Sequence, residues 1–254
     1  MRRIFITGAS TGIGAALARH YAGAQTEVGL FARRRDLLDE LAASLPGRSA
    51  VYAADITDLP AIKAAAGDFL RRFGTPDLVV ANAGISVGTR GEDIEDVDKL
   101  RRVLDVNVAG LAATLAAFAP AMRAAGSGTL CGIASVAGFR GLPGAGAYST
   151  SKAAAIAWLE ALRAELAGSG VTVVTICPGY IDTPMTQVNK YRMPFLISAE
   201  DAARRFARAI EAKRRLAVIP WQMALASLVL RALPGWLYDR MAARAPRKPR
   251  NLPL

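Results

Sequence analysis

The alternation of short apolar runs with longer, alanine-rich segments restricts the fold of this chain more than any other feature. Seven runs of four to eight residues, rich in Val, Ile, Leu and Phe, indicate buried strands: IFIT, EVGLF, SAVYA, DLVVA, GTLCGIAS, VTVVTIC and LAVIP. Helices are predicted to begin near Gly12, Arg34, Asp58, Val97, Val108, Ala147 and Ser198. Such repeated βα units predict an α/β fold, a doubly wound parallel sheet of about seven strands with helices on both faces.

The chain has one histidine and two cysteines, which limits its chemistry. His20 stands alone in LARHYAG, so Ser-His-Asp catalysis and multi-histidine metal sites are excluded unless His20 acts by itself. Cys131 and Cys177 each lie inside an apolar run, with no Cys or His at metal-ligand spacing. We therefore predict buried, reduced thiols, no bound metal and a cytoplasmic protein.

The formal net charge of +11 raises nucleic acid or an anionic membrane as a partner. However, the 32 Lys and Arg residues are spread along the chain, and no Cys/His finger or aromatic RNA-binding signature accompanies them. We therefore expect a basic soluble protein that does not bind nucleic acid. No signal peptide is expected either, because RRIFITGAS begins a strand close to Met1.

A glycine-rich turn, TGASTGIG, follows the first predicted strand and leads into an alanine-rich helix. Gly8 would allow a sharp turn, and Gly12 and Gly14 would let the start of the helix approach a pyrophosphate that its amides and dipole attract. Taken alone this is a weak signal, because a tight turn without a ligand has the same composition. Its position directly after the first strand favours the nucleotide site.

Tyr148 and Lys152 lie four residues apart in a predicted helix, so both project from the same face. A free phenol has a pKa of about 10, and a nearby ammonium favours its ionised form. We expect Lys152 to bring the pKa of Tyr148 toward neutral pH, where the phenol can act as acid or base. Ser135, at the end of the fifth predicted strand, could hydrogen-bond a substrate oxygen beside the tyrosine.

These motifs together resemble the short-chain dehydrogenase/reductase family, in its compact form with TGxxxGxG and YxxxK motifs. The resemblance runs from about Arg3 to about Pro184 and includes Ala81-Asn82-Ala83-Gly84, where alanine replaces the first asparagine of the family's NNAG segment. It implies a Rossmann-type sheet, an aspartate at Asp55 that hydrogen-bonds the adenine, and a water-holding relay residue at Asn107. The predicted cofactor-binding residues are Gly8, Ser10, Thr11, Gly12, Ile13, Gly14, Arg33, Arg34, Asp55, Ile56, Asn82, Ala83, Gly84, Tyr148, Lys152, Pro178, Gly179, Ile181 and Thr183.

The end of the second strand decides between NAD and NADP. A carboxylate there would accept bonds from the ribose hydroxyls, whereas arginine would pair with a 2'-phosphate. The chain has no acid at this point, and Arg33 and Arg34 are placed to hold the phosphate, which predicts NADP(H). The alternative is that both arginines are solvated or pair with Asp36 and Asp39.

The resemblance implies hydride transfer between NADP(H) and a carbonyl or secondary alcohol. In this scheme Tyr148 is the acid or base, Ser135 stabilises the substrate oxygen, Lys152 tunes the phenol and binds the ribose, and Asn107 completes a proton relay. Each of these residues also has a purely structural explanation. Ser135 could cap the strand end and Asn107 could lie at a helix kink. Tyr148 could be a half-buried aromatic residue and Lys152 a solvated helix charge. The competing hypothesis is a sensor or scaffold protein that binds NADP without catalysis. By analogy with the family, a homodimer or homotetramer is expected.

The substrate is expected to be mainly apolar. Its predicted walls are Ile85, Ser86, Val87, Phe139, Leu142 and the loop 185–197 with Tyr191, Met193, Phe195 and Leu196, whose charges are Lys190 and Arg192.

The C-terminal part departs from the compact family pattern. We expect residues 1–215 to form the NADP-binding and catalytic domain, and residues 216–254 to add the last strand and an apolar, basic helical extension. The uncharged run from Leu216 to Leu230 is too short to cross a bilayer of about 30 Å. Trp221, Trp236 and Tyr238 fit a dimer contact, a cover over the pocket or peripheral membrane contact, and we favour the first two.

Overall fold

The computed structural model describes residues 1–189, 191–245 and 247–251. Lys190, Pro246 and the last three residues of the extension lie outside these ranges. Within these residues there are nine strands: β1 Arg2–Thr7, β2 Thr26–Ala32, β3 Arg48–Ala53, β4 Leu78–Ala81, β5 Gly128–Ile133, β6 Val171–Pro178, β7 Ile181–Asp182, β8 Ile197–Ser198 and β9 Leu216–Ile219.

Seven of these strands form one parallel sheet in the order β3-β2-β1-β4-β5-β6-β9. The order reverses direction between β1 and β4, and each predicted strand overlaps an observed one. The strands inside the sheet are buried on both sides, which explains their nearly continuous apolar sequences, whereas the edge strand β3 has exposed residues at Arg48 and Ala53. The predicted doubly wound α/β fold is confirmed.

The described residues form ten α-helices, of which the last two follow the final strand: α1 Gly12–Tyr21, α2 Arg35–Ser44, α3 Leu59–Phe73, α4 Asp96–Leu104, α5 Gly110–Ala125, α6 Gly146–Glu165, α7 Pro184–Gln187, α8 Ala199–Glu211, α9 Trp221–Ala232 and α10 Gly235–Ala242. They cover both faces of the sheet. Leu17 and Phe206 belong to the core on one face, and Phe69 and Phe118 to the core on the other.

The two helices predicted near Val97 and Val108 are one continuous helical run. A π-helical turn, Asp105–Ala109, joins α4 to α5. Such a turn accommodates an extra residue without ending the helix, and it has no local sequence pattern from which it could be predicted.

Of the described helices, the run Asp96–Ala125 is the one long and apolar enough to cross a membrane by length and composition alone. Its Phe118 and Met122 are, however, fully buried in the core.

Strands β7 and β8 form a separate two-stranded parallel pair that the sequence did not predict. Ile181 lies opposite Ile197. Two-residue strands have no detectable periodicity, so they escape pattern-based prediction. The pair closes the base of the variable loop between Asp182 and Ile197.

Candidate active site

A cavity of about 270 Å³ lies at the carboxyl ends of the central strands. Its walls are built by the segments that follow β1, β2, β3, β4, β5 and β6, as expected for the crevice of a doubly wound sheet. All the predicted cofactor-binding residues except Gly14 line it. The lining residues that sequence reasoning did not assign to the site are Phe31, Ala32, Ala54, Arg102, Val106, Ile133, Ala134 and Pro184, whereas Thr186 belongs to the predicted loop 185–197.

The glycine turn bends because two of its glycines adopt positive φ. Gly8 has φ +67° and Gly12 has φ +56°, a region that other residues rarely adopt. A Cβ on Gly12 would lie 3.1 Å from Cγ2 of Thr183, so the turn passes close to the segment after β7.

Gly14 has a different role from the one predicted. It does not line the cavity; a Cβ there would lie 2.2 Å from the Gly8 carbonyl oxygen and 2.7 Å from Nδ2 of Asn82. Gly14 is therefore required where α1 packs against the turn itself. The spacing of glycines alone cannot distinguish approach to a ligand from approach to neighbouring backbone.

Asn82 holds the glycine turn in place through hydrogen bonds. Its Nδ2 donates to the carbonyl oxygens of Thr7 at 3.0 Å and Gly8 at 3.3 Å. The Thr7 hydroxyl oxygen accepts from the Asn82 amide at 3.1 Å and the Ala83 amide at 3.3 Å. These bonds join the ends of β1 and β4 where the strand order reverses.

The two arginines after β2 have different surroundings. Nη2 of Arg34 donates to the hydroxyls of Ser10 at 3.1 Å and Thr11 at 3.0 Å, so it connects the end of β2 to the glycine turn. Arg33 also lines the cavity and is exposed. Of the described residues, no carboxylate forms an ion pair with either arginine, whereas neighbouring Arg35 pairs with Asp39 at 3.0 Å.

Asp55 is held by two partners. One carboxylate oxygen accepts from the amide and hydroxyl of Thr57, and the other pairs with Arg102 at 2.8 Å. Burial opposes ionisation, but the Thr57 bonds and the Arg102 guanidinium lower the pKa of Asp55 below its ordinary value. Asp58, and not Asp55, caps α3 by accepting from the Ala61 amide. Arg102 could not be predicted from a local sequence pattern, because this contact joins segments 47 residues apart.

Tyr148 and Ser135 meet through a close contact between two backbone segments. Tyr148 lies in the first turn of α6, and Ser135 follows β5 and begins a short 3-10 turn, Val136–Gly138. A Cβ on Gly138 would lie 2.7 Å from the backbone carbon of Lys152, so only glycine allows this turn to pack on α6. The start of α6 is anchored by the Ala147 amide, which donates to the Thr89 hydroxyl at 3.2 Å.

Lys152 is a buried residue and not a solvated helix charge. Its Nζ donates to the Ile133 carbonyl oxygen at 2.9 Å. Burial lowers the pKa of Lys152 to about 8. Cys177 lies close enough to be affected by this ammonium, although burial is the larger influence and raises the pKa of the thiol to about 12. Both cysteines are free and buried.

The expected decrease in the pKa of Tyr148 is not present in the structure of the chain alone. Burial raises the pKa of Tyr148, and the neighbouring Ser135 hydroxyl is the group that lowers it. The charge of Lys152 does not overcome the cost of ionising a phenol away from water, and its nitrogen lies 5.7 Å from the centre of the ring. Lys152 therefore does not lower the pKa of Tyr148 in the chain alone, and its effect together with a positively charged nicotinamide ring stays a prediction.

Asn107 lies in the π-helical turn and is completely buried. Its Nδ2 donates to the Ile85 carbonyl oxygen at 3.0 Å and to the Ser151 hydroxyl at 2.9 Å, and its Oδ1 accepts from the Ile85 amide at 2.8 Å. Asn107 does not itself line the cavity. Its side chain positions the segment after β4 against α6, one residue from Lys152.

The predicted substrate walls are only partly present. Ile85 and Met185 line the cavity. Val87 instead packs in a small core with Val103 and Ala147, because the chain after β4 turns it inward. Phe139 and Leu142 line a separate surface groove against α10. The lining does not include Ser86, Tyr191, Met193, Phe195 or Leu196.

The C-terminal segment packs against the segments beside the cavity. The Gly88 amide donates to the Pro249 carbonyl oxygen at 2.9 Å, and Arg250 pairs with Asp93 and Asp96. Nζ of Lys248 donates to the carbonyl oxygen of Met185, a cavity residue, at 3.4 Å. The extension therefore contacts the segments that flank the cavity.

Comparison with known proteins gives consistent matches. Residues 2–193 match the family model described as short chain dehydrogenase. An uncharacterized oxidoreductase of Myxococcus xanthus is 38% identical over 252 residues, which cover 96% of this chain and 97% of that protein. Dehydrogenase/reductase SDR family member 7B of Mus musculus is 32% identical over 98% of this chain and 82% of that protein.

A similar solved structure is an alcohol dehydrogenase from the archaeon Thermococcus sibiricus, complexed with 5-hydroxy-NADP. It is 26% identical, with a TM-score of 0.77, and the match covers 86% of this chain and 96% of that one.

Proposed function

The chain belongs to the short-chain dehydrogenase family, and on that premise we propose that it is an NADP(H)-dependent oxidoreductase acting on the carbonyl or secondary alcohol of a mainly apolar substrate. One observation carries the proposal: Ser135, Tyr148 and Lys152 line the same cavity as Arg33 and Arg34. Because β2 and β5 are three positions apart in the sheet, the two groups lie about 14 Å apart or more. A dinucleotide spans such a distance.

The residues present suit the phosphate-bearing half of NADP(H). The positive φ of Gly8 and Gly12 opens the turn at the start of α1, where free amides and the helix dipole favour an anion. Arg34 is already oriented by Ser10 and Thr11, and Arg33 stands beside it without a carboxylate partner among the described residues. A 2'-phosphate would satisfy both guanidinium groups, whereas a free ribose hydroxyl would not.

When bound, the nicotinamide supplies or accepts the hydride. The chain's own residues handle the proton: the Tyr148 hydroxyl donates it to the substrate oxygen in reduction and accepts it in oxidation. The Ser135 hydroxyl holds that oxygen beside the phenol. Lys152 keeps a positive charge next to Tyr148, and Asn107 fixes the segment against which α6 packs.

A cofactor titration followed by a substrate screen tests this proposal. Purified protein is titrated with NADPH and NADH by fluorescence, and apolar ketones and aldehydes are then screened for loss of cofactor absorbance. We expect selective NADPH binding and turnover of at least one apolar carbonyl compound. Tight NADPH binding with no turnover across a broad panel would favour the sensor hypothesis, and a preference for NADH would contradict the assignment of Arg33 and Arg34.

A further inference from the structure

Helix α9 exposes an apolar face that no described part of the chain covers. Trp221, Leu225, Leu228 and Val229 recur at intervals of three and four residues, so they lie along one side of the helix. The opposite side packs on the body through Met223 and Ser227, which are buried. A helix with apolar residues on every side is normally buried on every side. Helix α9 packs against the protein on one side only.

Helix α10 begins two residues after Leu233 and adds further apolar side chains. We call the four exposed residues on one side of α9 the C-terminal apolar face; each is between 56% and 67% exposed, and they are Trp221, Leu225, Leu228 and Val229. In α10, Trp236 and Met241 are also exposed, at 71% and 54%. Single exposed apolar residues are ordinary on protein surfaces, but six of them within 21 residues mark a contact surface.

The segment that contains this face is mainly basic. Between Pro220 and Asn251 the chain has six Lys or Arg residues and one acid, Asp239. Arg240 and Arg244 follow Trp236 at intervals of four residues and are exposed. Neither pairs with a carboxylate in the part of the chain that the structure describes. The C-terminal apolar face is therefore accompanied by free positive charge.

We propose that the C-terminal apolar face docks on the surface of an anionic lipid bilayer. Tryptophan and leucine beside arginine are the composition of helices that lie in the membrane interface, where the rings enter the headgroup region and the cations meet lipid phosphates. At 12 residues α9 is about 18 Å long, so it lies on the bilayer and does not span it. A second copy of this chain fits less well, because a two-fold contact would bring the free arginines of both copies to one interface, where each copy adds a single acid, Asp239.

The docking surface is close to the cavity. A Cβ on Gly179, a cavity residue, would lie 2.5 Å from Cγ of Met223, on the inner side of α9. Only one helix, about 10 Å across, separates the cavity from the bilayer surface. If the proposed function holds, apolar substrates dissolved in lipid reach the cavity over a short path; membrane docking itself does not depend on catalysis.

Vesicle flotation of the full-length protein tests the proposal. The protein is mixed with vesicles of phosphatidylcholine alone or of phosphatidylcholine with phosphatidylglycerol, and the floated fraction is measured. We expect flotation with the anionic vesicles only. The double variant Leu225→Glu, Leu228→Glu should reduce the apparent affinity by about a hundredfold. Arg240→Glu with Arg244→Glu should weaken binding to anionic vesicles in the same direction.

A matched control separates docking from a general effect of added charge. Leu59→Glu is compared with Leu225→Glu alone: it makes the same change at equal exposure, 55% against 56%, on a different helix, and should float like the wild type. The proposal is overturned if the wild type does not float with anionic vesicles, or if Leu59→Glu loses flotation equally. It is also overturned if light scattering shows a dimer that the Leu225 and Leu228 variant separates while neither protein floats. Circular dichroism verifies that each variant is folded.

Discussion

The ammonium nitrogen of Lys152 lies 5.7 Å from the centre of the Tyr148 ring, one helical turn away along α6. The lysine is buried and bonded to the Ile133 carbonyl, whereas the phenol keeps partial exposure to the cavity. Burial lowers the pKa of the lysine and raises that of the tyrosine, so it favours the neutral form of both. A bound anion or cation in the cavity would change this balance.

Replacing Lys152 by methionine should change how stability depends on pH. The pKa of Lys152 is about 8 in the folded chain against 10.5 for a free lysine. Between these values the unfolded chain holds the proton and the folded chain does not, so this group increases the free energy of unfolding as pH rises. Chemical denaturation should show the wild type gaining about 3 kcal/mol relative to Lys152→Met across this window. The raised pKa values of Tyr21 and Tyr52 are common to both proteins, and parallel pH curves would contradict burial of the charge.

Arg34→Ala should weaken NADPH binding by about 10- to 100-fold and leave NADH binding nearly unchanged, because only NADPH carries the 2'-phosphate. Fluorescence titration with both cofactors measures the effect. Arg35→Ala is the matched control, since Arg35 is the next residue, pairs with Asp39 and does not line the cavity. Equal losses for both cofactors would show that Arg34 acts only by holding the turn.

The sheet was predictable because parallel strands buried on both sides are continuous apolar runs. For the same reason Gly8, Ser135 and Tyr148 could be placed at one edge from strand order alone. Arg102 was not predictable, because it reaches Asp55 from a helix distant in sequence. The burial of Lys152 could not be predicted either. The YxxxK motif predicts that Tyr148 and Lys152 share one face of the helix, but it does not predict that the Val136–Gly138 turn covers that face.

Gly14→Ala should destabilise the protein by about 1–3 kcal/mol, because its Cβ would overlap the Gly8 carbonyl oxygen, which is backbone and cannot rotate away. Thermal unfolding measures this change. Gly141→Ala is the control, since nothing lies within 4 Å of the added carbon there. A Gly14→Ala variant as stable as Gly141→Ala would mean that the turn accommodates a side chain.

Arg250→Ala should release the C-terminal segment from the region flanking the cavity. Hydrogen bonds from Arg250 and then Lys99 lower the pKa of Asp96, so this attachment is present at neutral pH and is lost only as the pH falls below the ordinary carboxyl value of 3.8. Hydrogen exchange of the Gly88 amide, which donates to Pro249, should accelerate in the variant at neutral pH. Arg101→Ala removes an exposed pair and should leave that amide unchanged. Unchanged protection in Arg250→Ala would show that backbone contacts alone hold the segment.

The most direct measurement is a comparison of Tyr148→Phe with the wild type in NADPH binding and in turnover of an apolar ketone. The substitution removes one hydroxyl and keeps the ring on α6, so NADPH affinity should change by less than about threefold while turnover falls by at least about a thousandfold. Retained turnover in Tyr148→Phe, with intact NADPH binding, would contradict the assignment of Tyr148 as the acid or base and with it the proposed reaction.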